Sequence, residues 1–146
     1  MRAVIYRCLE SNVSVDSVSK VIQLCISLLT NYSITDIPTP STISQIGCEL
    51  GILATLQVAE TILHSEDFTL AFDATSLNGV HFNEIHIATV ETILTVSVAE
   101  VPGGRADDYV QHILESFNDV ATTYATFNCI DSTEIKKKYS AFSYAL

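Results

Sequence analysis

Residues 68–89 read FTLAFDATSLNGVHFNEIHIAT. Large residues recur at every second position through Phe68, Leu70 and Phe72, the mark of a strand with one buried face. Asn78-Gly79 then interrupts the run. Both residues of a tight hairpin turn must accept positive φ, and Asn-Gly does so at little steric cost. A two-residue turn sets Leu77 against Val80 and fixes the register. Counting outward, Asp73 falls across from Glu84, and Ala71 across from His86. One face of the hairpin therefore carries Asp73, Glu84 and His86, and the other carries Leu70, Phe72, Ile85 and Ile87. The second strand is expected over 81–89 and a third over 92–98.

Downstream, Pro102-Gly103-Gly104 breaks the chain. Ala106, Tyr109, Val110, Ile113, Phe117, Val120 and Tyr124 then share one helical face. Upstream, Val15, Val18, Ile22, Cys25 and Leu29 repeat at helical steps, as do Ile43, Ile46, Leu50, Leu53, Leu56 and Ile62. Between these two helices, Thr39 followed by Pro40 reads as an N-cap and a first helical residue. Gly47 and Gly51 weaken the second helix and would permit a neighbour to pack closely. The expected fold is thus α/β in the α+β sense: two N-terminal helices, a three-stranded antiparallel meander, and a helix. The expected division is a helical segment over 1–66, a β-β-β-α core over 67–127 and an irregular tail over 128–146. The closing YSAFSYAL has neither strand period nor cap, as in a sequence cut or altered from a longer parent.

A chain of 146 residues suits one domain, and 48% hydrophobic against 16% charged residues excludes a disordered chain. The N-terminus turns polar too soon for a secretory signal, and no uninterrupted apolar run reaches the ~20 residues of a bilayer span. An intracellular product without a membrane segment is expected. Cys8, Cys25, Cys48 and Cys129 are too scattered for a zinc site and read as reduced thiols. Net charge is −10, and Arg105 is the only basic residue between Val21 and Ile135. Phosphate backbones are gripped by clustered Lys and Arg, so unaided nucleic-acid binding is disfavoured. The triplet Lys136-Lys137-Lys138 reads as a solvated turn.

Candidate chemistry centres on the hairpin. Directly opposed carboxylates repel, unless a divalent cation sits between them or they share a proton. The alternative for Asp73 and Glu84 is a wet end of the sheet where the repulsion is screened. His64 is expected to end its helix, and His81 and His112 to lie on the surface. No nucleophile elbow and no Ser/His/Asp order stands out. PGGRADD is no phosphate loop, because Asp107 and Asp108 occupy the helix's first turn.

The stretch LAFDATSLNGVHFNEIHIATVETILTVSVAEVPGGRADDYVQHI resembles the opening of an RNase H-like domain from DDE-type transposases, most closely the transposon-derived proteins of animal genomes. IPTPSTISQIGCELGILATLQVAE similarly resembles the helical segment that precedes it, so the likeness covers residues 37–127. It implies a fold of three antiparallel strands followed by a helix. It also implies that Asp73 is the first ligand of a two-metal phosphoryl-transfer centre using Mg²⁺ or Mn²⁺. The family's second acidic ligand follows a fourth strand, and its third lies on a later helix. Here the chain departs from the family: Asp131 and Glu134 follow no apolar strand and are not assigned, and Glu84 is not a family position. In the family fold the first strand is central. A truncated version would leave its edge unpaired, open to a partner strand or to self-association. Three functional expectations follow. The chain is a catalytically incomplete transposase-derived domain, a protein-interaction module, or a metal-dependent nuclease active only in a longer chain or an oligomer.

Overall fold

The computed structural model describes residues 1–30, 32, 34–133 and 136–137. Its elements run α1 (Arg2–Glu10), α2 (Val15–Leu29), α3 (Pro40–His64), β1 (Thr69–Leu77), β2 (Val80–Ala88), β3 (Ile93–Val101) and α4 (Ala106–Asn128). Helices, meander and closing helix follow in the expected order, and α1 is an addition. It ends in a Schellman motif that the sequence supports: Asn12 adopts φ 59°, its N–H donates to Leu9 O, and the Val13 N–H donates to Cys8 O. The YSAFSYAL tail, Glu134 and Lys138 lie outside the described residues.

The chain divides into two compact units, residues 1–53 and 54–146. In the first, Ile5, Val18, Ile22, Ile43 and Ile46 form the core. Only part of the α2 stripe is used: Cys25 is exposed and Leu29 is 83% exposed. α3 begins as its sequence requires, with the Thr42 N–H donating to Thr39 Oγ1 (3.3 Å) immediately before Pro40. Nothing packs tightly against its glycines. A Cβ at Gly47 would meet Leu9 Cδ1 at an ordinary 3.7 Å, and one at Gly51 would meet nothing within 4 Å.

By length and composition α3 is apolar enough to cross a membrane, a description that core helices also meet. Its apolar residues serve two cores, and Glu49 lies within it, paired to Arg2 at 3.1 Å.

In the second unit the sheet order is β1-β2-β3, antiparallel throughout. Asn78 (φ 54°) and Gly79 (φ 81°) make the two-residue turn, and Leu77 pairs with Val80. Val58, Ala59 and Ile62 of α3 and Val120, Ala121 and Ala125 of α4 pack on Ile87, flanked by Leu70, Leu94, Val96 and Phe117. Both helices thus use one face of the sheet. The buried face of α4 is wider than the expected stripe: Ile113 and Val120 are buried within it, His112 and Ser116 extend it on one flank and Ala121 and Ala125 on the other, while Val110 and Ala106 are exposed. α4 lies over β3 and β2. β1 is consequently the most open strand, exposed at every residue except Leu70, with Phe72 at 53%.

Between β2 and β3 the register shifts. Ile85 pairs with Ser97 and His86 with Thr95, so Val96 is an extra residue in β3. Strict alternation from Leu94 would send position 97 to the outer face. The bulge instead turns Ser97 inward, toward α4.

Candidate functional site

The hairpin brings Asp73 opposite Glu84, and Ala71 opposite His86, as the turn requires. Asp73 is exposed on the face of the sheet opposite the helices. The Glu84 side chain is 44% exposed, and its Oε1 lies 3.5 Å from His86 Nε2. Thr95 Oγ1 is 3.3 Å from His86 Nδ1, so the imidazole bridges β2 to β3. Phe82, Val98 and Glu100 continue this outer face through the pairs Glu84–Val98 and Phe82–Glu100. Among the described residues no three His, Cys, Asp or Glu side chains form a group able to hold a metal ion. Asp73 and Glu84 face each other across the hairpin, Asp73 exposed and Glu84 half-buried. Asp131 is exposed, and the Thr133 N–H donating to it (2.9 Å) holds its carboxyl below the usual range.

A second constellation lies on the helix-covered face of the sheet. Asn83 is fully buried on β2, and its Nδ2 donates to His112 Nδ1 at 3.0 Å. The proton of the neutral ring then sits on Nε2, which donates to Ser97 Oγ at 3.0 Å. His112 was expected on the surface and is 9% exposed. The buried face of α4 extends past the large apolar residues to His112, and the bulge at Val96 supplies Ser97 beneath it. Burial lowers the His112 pKa, a shift that nearby Glu115 opposes. Asn83 Oδ1 has no partner among the described residues. One signal was available: Asn83 is a polar residue at an inward position of a strand whose other inward residues are Ile85 and Ile87. Ser97–His112–Asn83 has the connectivity of a nucleophile, a base and an orienting group. Its buried location suits another role, fixing how α4 seats on the sheet.

His81 is half-buried, with Nδ1 2.7 Å from Ser76 Oγ across the hairpin. His64 ends α3 as expected, its Nδ1 2.8 Å from Glu60 O. Tyr124 donates to Glu60 at 3.4 Å, and its pKa is raised by desolvation and by that carboxylate. At the other end of the hairpin, His64, Glu66, Asp67 and Glu91 line an open groove with Thr61 and Thr89–Thr92.

Compared with protein-family models, with curated proteins and with solved structures, the chain finds no match.

Proposed function

We propose that this chain is a non-catalytic, intracellular interaction module of RNase H-like, transposase-derived ancestry, and that its working surface is the free edge of β1. The observation that carries the proposal is the exposure of β1: it is an edge strand, and α4 leaves most of it uncovered. An edge of this kind carries unpaired N–H and C=O groups, the means by which extended segments add to sheets. The hairpin carboxylates support the non-catalytic half of the reading. Two-metal catalysis needs several ligands converging on closely spaced ions. Asp73 has only Glu84 opposite it, and the two are not part of a three-ligand group among the described residues.

The second reading, a Mg²⁺- or Mn²⁺-dependent nuclease, is favoured by one observation: Asp73 occupies the middle of the first strand, the position that the resemblance gives to the first metal ligand. Thermal unfolding with and without each ion separates the two readings. The interaction module has the same Tm in both, and Asp73→Asn unfolds at or above the wild-type Tm. Metal-dependent stabilisation that vanishes in Asp73→Asn overturns the non-catalytic reading.

A further inference from the structure

The β1 edge has a definite chemistry. The Leu77–Val80 pair closes a two-residue hairpin and is therefore a hydrogen-bonded pair. Antiparallel ladders alternate, so Thr75, Asp73 and Ala71 direct their backbone groups to β2, and Ser76, Ala74, Phe72 and Leu70 direct theirs to the free edge. Edge strands are commonly protected by Lys, Pro or a bulge. β1, TLAFDATSL, has none of these, and the sheet's one register shift lies between β2 and β3. β3, the other edge, carries that bulge and lies under α4.

Charge selects the occupant. The only charged residue of β1 is Asp73, and the outer face beside it carries Glu84 and Glu100, with His86 the only basic-type side chain on the strands there. The whole chain is −10. A second copy would bring a further −10 to the same edge. Resting on the open-edge reading above, we infer that β1 accepts an extended basic segment of another protein, with apolar side chains at alternate positions against Leu70 and Phe72 and a lysine or arginine opposite Asp73. Opposite charges paired across strands attract and like charges repel, so the central outward residue of the incoming strand decides affinity.

Two synthetic nine-residue peptides test the inference on the full chain. In both, threonine alternates with valine, and the central outward position is lysine in one and glutamate in the other. The lysine peptide is expected to bind about three- to tenfold more tightly. Asp73→Lys reverses the order. Ala74→Pro removes an N–H that points away from β2, leaves the β1–β2 ladder intact, and abolishes binding of both. Equal affinity for the two peptides overturns the basic partner. So does concentration-dependent dimerisation that Ala74→Pro removes, because the occupant is then a second copy. If neither peptide binds, amide exchange at Phe72 and Ala74 identifies which step failed. Free exchange discards the basic partner and keeps the open edge, whereas strong protection in a monomer discards both.

Discussion

Asp73 and Glu84 are direct cross-strand partners in the middle of the β1–β2 ladder. Their carboxylates share the outer face, with Glu84 leaning toward His86 at 3.5 Å. Opposed like charges at an exposed pair destabilise by a few tenths to about 1 kcal/mol. Glu84→Gln is therefore expected to raise stability by roughly that amount at low salt, and by less in 0.5 M salt, where screening has already weakened the repulsion. Urea denaturation at both ionic strengths checks this. A loss of stability at low salt would mean that the His86 contact outweighs the repulsion.

Protonation of His112 is expected to loosen the packing of α4. Its pKa is lowered in the folded chain, chiefly by burial, so the folded state prefers the neutral ring. The contribution is full above the unfolded-state pKa of about 6.5 and is lost as pH falls through the lower folded value. Denaturation at pH 7.5 and at pH 5.5 should show this fall. In His112→Gln the fall should be smaller, since that side chain does not titrate. An identical acid-side fall in the variant would assign it to other groups.

Removing the Asn83 end of the polar network should be costly. Asn83→Leu leaves His112 Nδ1 without its donor in a buried site, and a loss of about 1–3 kcal/mol is expected. The same substitution removes the unpartnered Asn83 Oδ1, which places the result toward the lower end. A stability equal to wild type would show that the ring reaches water.

Gly51 and Gly79 should respond to alanine in opposite directions. Gly51 lies within α3 with open space where a Cβ would stand, so Gly51→Ala is expected to stabilise by up to ~1 kcal/mol. Gly79 has φ +81° in the hairpin turn, and Gly79→Ala is expected to cost about 1–2 kcal/mol. Thermal unfolding of both variants checks the contrast.

Local chemistry explains which of these features were legible in the sequence. Asn78-Gly79 determines its own turn geometry, and the turn determines the register, so the Asp73–Glu84 and Ala71–His86 pairs could be counted from the sequence. Thr39-Pro40 announced the start of α3 in the same way. The Ser97–His112–Asn83 network could not be read. It depends on an extra residue at Val96, which no local preference marks, and on a buried face of α4 that is wider than its apolar stripe. That wider face includes small residues, Ser116, Ala121 and Ala125, beside the large apolar ones. Large apolar side chains dominate a periodicity reading, and these residues contribute little to one. α1 was missed because its apolar residues, Val4, Ile5, Cys8 and Leu9, span only about two turns.

The openness of the β1 edge is tested most directly by amide hydrogen exchange along β1, in protein shown by sedimentation to be monomeric. The expected result has a period of two: slow exchange at Ala71, Asp73 and Thr75, whose N–H groups face β2, and fast exchange at Leu70, Phe72, Ala74 and Ser76. Uniform strong protection of all seven in the monomer would mean that another part of the chain already pairs with this edge, and would contradict the proposed function.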